Sequence, residues 1–332
     1  MAMKADPPAS AKVPPETVGV QPPKSSDGSA APVPWRRTPE GRARVLGIAM
    51  FTPAVLFIVA LIGIPFFMAF VYAFTDVKVG SIESHWVGLE NFRSILQSPS
   101  FRKALVNSFL FTIISQVIVI VASTFLSVAL KDKFVGRGFV RFLILLPWVA
   151  PISLGAIGWK WILDSLYSVI NWVAVYQLHL FKPYMAPMWL GEPTLAMASV
   201  ILVHSWRLIP FSTVIMLAGL TAIPKDIPEA AQVDGASFFR TLFQITIPMM
   251  LPIITVAVLF GIVFTFTDMT VVYVLTAGGP FDSTQVLPSL AFFTGILAGD
   301  LSQGAAISLF LVPILVAVTY FMLRTAHRAE VA

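Results

Sequence analysis

The chain has 332 residues, 57% of them hydrophobic and 12% charged, with a mean hydropathy of +0.84. Soluble domains with a polar exterior do not reach such values, so the composition points to an integral membrane protein. The absence of cysteine excludes disulfides and thiolate metal sites, His85, His179, His204 and His327 are too dispersed for a paired metal motif, and there is no GxxxxGK[ST] phosphate loop for ATP.

In chain order, the first 35 residues carry eight prolines together with Ser, Ala and Lys. Such a composition cannot bury enough apolar area to offset ordering entropy, so residues 1–45 are expected to be a disordered, basic, proline-rich tail. A helix needs about 20 apolar residues to cross roughly 30 Å of hydrocarbon. Six stretches qualify, at 46–74, 104–130, 142–163, 194–220, 252–275 and 304–323, and a short tail follows at 324–332. The first is too long for a secretory signal and lacks an early small-residue cleavage site, so it is expected to remain as an anchor. Pro147 and Pro151 remove backbone donors from the third and predict a kink there. The expected fold class is therefore all-α, a polytopic membrane protein of about six transmembrane helices.

Lys and Arg near the span ends set orientation. With the N-terminus inside, the inner side carries Arg36, Arg37, Arg42, Arg44, Lys131, Lys133, Arg137, Arg141, Lys225, Arg240, Arg324 and Arg328, and the outer side only Lys78, Arg93, Arg102, Lys103 and Lys182. This bias places both termini in the cytoplasm. The net charge of +5 then reads as topology beside membrane lipid, and no nucleic-acid partner is expected.

Between the fourth and fifth stretches the apolar pattern gives way to EAAQVDGA, residues 229–236. Pro228 suits the first turn of a helix and Glu229 complements its positive end. Gly235 can adopt φ > 0 and stop that helix, after which Ala236–Thr246 offers a second one carrying Phe238, Phe239, Leu242, Phe243 and Ile245. A partner's backbone could approach the small residues closely. An ordinary cytoplasmic hairpin has equal standing on these grounds alone.

Glu229, Ala230, Ala231, Asp234, Gly235, Ala236, Ile245, Pro248 and Pro252 match the EAA signature of ATP-binding-cassette importer permeases in identity and spacing, and the chain resembles that family. Phe239, Arg240 and Leu242 depart mildly from the usual pattern. WVGLENFRSIL from Trp86, LLPWVAPISLGAIGWKWI from Leu145, SWRLIPFSTVIMLAGLTAIP from Ser205 and VLTAGGP from Val274 are similar to the carbohydrate-uptake branch, in particular its larger, maltose-type permease. The resemblance runs from about residue 46 to the C-terminus. It implies the type I importer permease fold, with a coupling loop at 224–250 whose coupling helix, Glu229–Ala236, docks on an ATPase. It implies as partners a second homologous permease, two cytoplasmic ATPase subunits holding Mg-ATP, and an external solute-binding protein, all at a bacterial inner membrane. The chain itself would be neither an enzyme nor a holder of a cofactor, and by the same resemblance it would translocate a sugar or a related polyol or glycerol-phosphate solute by alternating access.

A charge at the bilayer centre costs on the order of 3 kcal/mol on insertion scales. Arg207 in the fourth span and Asp268 in the fifth lie near mid-depth, where they either meet a sugar's hydroxyls in a cavity or pair as a structural ion pair. Lys160 lies near a span end, where its stem can snorkel. A sugar pocket needs a few polar groups in apolar surroundings, and the candidates are Gln116 with Ser115, His204, Trp206, Arg207, Thr267, Asp268, Thr270 and Tyr273. Many relatives read Phe-Asp where this chain has Met269-Thr270. An ion-coupled secondary transporter is the competing function, but it usually carries several intramembrane acids and inverted repeats, whereas a single mid-span acid and no repeat are evident. A membrane-embedded enzyme would need clustered acids, histidines or metal ligands.

Overall fold

The computed structural model describes residues 39–331 apart from Ile82, with side chains for 43–325. Of the tail expected at 1–45, residues 1–38 lie outside the described residues. The elements are helical throughout, and no strand occurs among the described residues beyond an isolated antiparallel bridge between Thr75 and Trp86. Two units are distinguished, Met1–Leu61 and Ile62–Ala332. In the first, a helix begins at Pro39, inside the segment expected to be disordered. It belongs to a 30-residue apolar helix, Ala43–Tyr72, here called span one.

The second unit holds the other spans. Span two, Pro99–Ala129, starts where Ser98 caps the helix by accepting from Phe101 N, with Pro99 in the first turn. Span four, Pro193–Ala222, also begins on a proline. Span six, Leu301–Val331, continues as helix beyond residue 323. Spans three and five are broken. Span three bends by 96° between Arg137–Val149 and Ile152–Ile162, with Ala150 and Pro151 extended, which is a far larger departure than the kink expected from its prolines. Span five was expected to run unbroken to 275. Instead Leu251–Thr267 stops at Asp268, whose backbone is extended at φ −81 and ψ 120, and Thr270–Leu275 follows separately. Span five also bends by 73° at its other end, between Phe238–Met249 and Leu251–Thr267, and counting each bent pair as one with the four long helices gives up to six spans.

Span two shows how the bundle packs. Ser108, Phe111, Thr112, Ser115, Gln116, Val119, Ser123 and Ser127 are buried along one face, while Val106, Ile113, Val117 and Val121 are exposed on the other. Bulky apolar groups face the lipid and small or polar ones face neighbouring helices, because only between helices can hydroxyls and amides find partners. Span two packs most extensively on span four, where Ser123 and Ser212 meet through their hydroxyls at 3.0 Å. Glycine allows the closest crossings. A Cβ on Gly219 would lie 2.8 Å from Ile253, and one on Gly304 would lie 2.4 Å from the Gly295 backbone.

Candidate functional site

The break in span five organises a polar chain within the bundle. Asp268 Oδ1 accepts from Thr270 N at 2.7 Å, so the carboxylate holds the first free donor of the following helix. Its other oxygen accepts from Arg207 of span four at 3.0 Å and lies 3.2 Å from His204 Nδ1. That imidazole contact is close but poorly aligned, and Nδ1 has no linear hydrogen bond. His204 Nε2 lies 2.9 Å from Thr265 Oγ1, which also receives Gln116 Nε2 at 3.1 Å and donates its single proton to the Gly261 carbonyl at 2.7 Å. Because that hydroxyl proton is committed, the imidazole must donate to it through Nε2. The chain thus runs from Arg207 to Gln116 across spans four, five and two.

Burial grades along this chain. His204 is fully buried with its ring 4.7 Å from that of Phe111, and Gln116 enters because Gly261 has no side chain: a Cβ there would lie 2.2 Å from Gln116 Oε1. Asp268 keeps 7% of its side chain exposed and Arg207 25%. Arg207 is the open end, and its guanidinium lies 5.7 Å from the ring of Trp148. Trp148 stands beside the break in span three and stacks on Phe211 at 4.7 Å. Thr112 Oγ1, Ser115 Oγ, Gln116 Oε1 and Ser205 Oγ are buried without a protein partner among the described residues.

The structure therefore brings together Gln116, His204, Arg207, Asp268 and the backbone of Thr270. It separates three other candidates. Thr267 is exposed and bonds back to Val263 O, one residue off the face shared by Gly261, Thr265 and Asp268. Tyr273 packs against Phe292 and Phe293. Trp206 packs edge-on against Trp159 and lies over Gly155. Thr265 and Trp148 were missed, although the i, i+4 spacing of Gly261 and Thr265 and the i+3 step to Asp268 marked that face.

The second site is the EAAQVDGA turn. Its first helix, Asp226–Val233, contains Pro228 in its opening turn. It closes on Gly235 at φ +78, with Gly235 N donating to Gln232 O and Ala236 N to Ala231 O, the paired bonds of a Schellman stop. Ser237 then caps Phe238–Thr241 by accepting from Arg240 N. The second helix starts at Phe238 rather than Ala236, and Leu242–Thr246 widens it into a π-turn. Ala231 is buried, whereas Glu229, Ala230 and Asp234 are exposed. Val233, Phe238, Phe239 and Phe243 are also exposed, and the three phenyl rings touch in sequence. Beside the turn lies a cleft of about 650 Å³, lined by Lys131, Lys225, Glu229, Gln232 and Thr241 among others.

Residues 120–330 match the family described as binding-protein-dependent transport system inner membrane component. The chain is 30% identical over 269 residues to the trehalose/maltose transport system permease protein MalF of Thermococcus litoralis, covering 81% of this chain and 89% of that one. It is 27% identical over 291 residues to the sulfoquinovosyl glycerol transport system permease protein SmoG of Agrobacterium fabrum, covering 87% and 93%. Its fold is that of a chain in the crystal structure of a bacterial ABC transporter that imports the acidic polysaccharide alginate, with a TM-score of 0.74 at 19% identity, covering 87% of this chain and 97% of that one. The matched region contains both the polar chain across spans four and five and the EAAQVDGA turn, and the protein belongs to the family of binding-protein-dependent inner membrane transport components, the permease subunits of ABC importers.

Proposed function

We propose that this permease translocates a sugar or related glycoside by alternating access, with the EAAQVDGA turn as its point of coupling to the ATPase and the polar chain at Asp268 as part of its solute path. The observation that carries the reading is the broken span five. Discontinuous helices near mid-membrane commonly mark solute sites, because backbone groups freed there can be satisfied only by protein or by a polar cavity. Both carboxylate oxygens of Asp268 are engaged, so its part is to hold Arg207 and the break in place. Arg207, with Trp148 beneath it, offers the donors and the aromatic face that a sugar ring needs. Relatives are named for trehalose and maltose, for sulfoquinovosyl glycerol and for diacetylchitobiose, which supports a glycoside as cargo.

The remaining partners follow from the same reading. Both termini and the turn face the cytoplasm of a bacterial inner membrane. A second homologous permease completes the path, and two ATPase subunits carry Mg-ATP and receive Glu229–Ala236 together with the exposed phenyl rings beside it. An external binding protein delivers the solute, as the periplasmic protein of the alginate importer suggests. Co-expression with the neighbouring subunits, followed by ATPase assays with trehalose, maltose and chitobiose in the presence of the binding protein, tests the whole. Gly235→Pro cannot adopt φ +78, and it is expected to abolish transport while the permease still reaches the membrane. If no ATPase co-purifies, or if Gly235→Pro and Glu229→Ala transport normally, the coupling role is wrong.

A further inference from the structure

Between the end of span two at Ala129 and the helix Arg137–Val149 that opens span three, the chain has only residues 130–136 in which to turn. Lys131 and Asp132 line the cleft beside the EAAQVDGA turn. Lys133, Phe134 and Val135 follow and are exposed, Val135 completely. Gly136, left-handed at φ 85, sends the chain into the helix. Its first turns carry Arg137 and Arg141 on one face, with the exposed Phe139 and Phe142 beside them. Arg141 reaches back to the Leu130 carbonyl at 3.4 Å. The Nε atoms of both arginines nevertheless lack a partner, and neither they nor Lys133 pair with a carboxylate among the described residues. The result is an edge with three cations, two bare apolar side chains at its tip, and no acid, since Asp132 lines the cleft.

In the orientation proposed above this edge lies at the inner membrane surface, and a tether of so few residues, at about 3.3 Å each, holds its tip within roughly 13 Å of the span ends. Topology requires only that cations stand on the inner side. It does not ask for a bare phenylalanine and valine among them, nor for the exclusion of acids. Three surfaces are available to cover the edge. A second, homologous permease would bring the same inner-rim excess of Lys and Arg and set cation against cation. The ATPase is offered the EAAQVDGA turn across the cleft, and lysine is depleted from the cores of protein interfaces. The inner leaflet answers both halves of the edge: its anionic headgroups favour each Lys or Arg by about fivefold in affinity, and the acyl boundary takes the apolar tip. A phosphodiester also supplies the paired oxygens that guanidinium groups bind in fork geometry. We infer that residues 133–141 hold an anionic phospholipid of the inner leaflet, with its phosphate at Lys133, Arg137 and Arg141 and with Phe134 and Val135 among its acyl chains, a site that rests on the importer reading only for its orientation.

The assembled importer in nanodiscs, with partner subunits freed of cysteine, provides the test. The chain has no cysteine, so Val135→Cys carries a bimane label at a unique site, and lipids brominated on their acyl chains quench it on contact. Brominated phosphatidylglycerol should reach half-maximal quenching at a mole fraction about tenfold below that of brominated phosphatidylcholine. Lys133→Gln and Arg137→Gln should each cut that ratio about fivefold, and about 0.5 M salt should reduce it. Lys182→Gln, on the opposite side of the membrane, should leave it alone. Equal quenching by the two lipids, a ratio unmoved by both glutamine variants, or the same loss in Lys182→Gln overturns the headgroup site. A label that neither lipid quenches overturns it too, and assigns the edge to the ATPase or the second permease. Reaction of Val135→Cys with an impermeant maleimide in intact spheroplasts would overturn the orientation, and the inner-leaflet site with it; without that reaction, a failed lipid preference leaves the importer reading standing.

Discussion

Asp268→Ala leaves Arg207 without its carboxylate inside the bundle. Breaking a buried pair by removing one partner costs about 3–5 kcal/mol. Arg207 keeps 25% of its side chain exposed and stays 5.7 Å from the Trp148 ring, so solvent and the π face recover part of this and about 2 kcal/mol remains. The Thr270 N–H also loses its acceptor at 2.7 Å, which adds about 1 kcal/mol. The total expected for Asp268→Ala is about 3 kcal/mol. Arg207→Met combined with Asp268→Asn removes both charges and keeps an acceptor for Thr270, so it should lie within about 1 kcal/mol of wild type. Reversible unfolding in mixed micelles, followed by tryptophan fluorescence, measures these variants together with the singles Arg207→Met and Asp268→Asn, which close the cycle. A coupling energy below about 0.5 kcal/mol would show that the two residues act independently, and the role assigned to Asp268 of holding Arg207 would then be wrong.

Gly261→Ala would place a methyl 2.2 Å from Gln116 Oε1, forcing that amide away from Thr265 at a cost of about 1–2 kcal/mol; the loss should nearly vanish in a Gln116→Ala background, and equal losses in both backgrounds would refute the contact. Gly304→Ala meets backbone at 2.4 Å and should cost about 1–3 kcal/mol in the same unfolding assay, whereas Gly138→Ala, with nothing within 4 Å, should be neutral or slightly stabilising. In the loop after span one, the Asp76 carboxylate accepts the His85 backbone N–H at 2.6 Å, and this bond, seconded by the His85 ring, lowers its pKa below the ordinary aspartate value. A lowered folded value means that the bond stabilises the loop above the ordinary Asp range and that the stabilisation fades as pH falls through it, below about 4. Proteolysis near residue 80 should therefore rise on acidification below pH 4, and Asp76→Asn should flatten that dependence.

The all-helical class and the presence of about six apolar spans were legible because hydrocarbon demands length and apolarity, which composition records directly. The EAAQVDGA stop was equally legible, since φ +78 at Gly235 is a conformation only glycine adopts freely. The break at Asp268 was not. A lone acid in an apolar run reads as a burden on a continuous helix, and nothing local says that it will instead hold Thr270 N and end the helix. That Thr265 rather than Thr267, two residues later, joins the polar chain was hidden for a related reason: the two are chemically alike, and the choice between them depends on Gly261 admitting Gln116 from another helix. Leu287–Leu297 was overlooked because 11 apolar residues are too few to cross a bilayer. The loop after span five was hidden as well, because Lys103 and Asn107, which donate to the carbonyls of Phe281 and Ser283, lie more than 170 residues away in sequence.

Among the contacts between spans four and five, two stand well apart: Gly219 against Ile253, close to the EAAQVDGA turn, and Arg207 against Asp268, deeper along the same helix, with Phe211 packed on Phe260 and Phe264 between them. At 1.5 Å of rise per residue, the two contacts on span four are about 18 Å apart. Two rods fastened at separated points cannot scissor, so a push on the turn between them is carried as rotation of the pair, and the non-helical break at Asp268 and Met269, beyond which Val271, Val272 and Leu275 are packed into the core, is where that rotation can turn into a change of shape.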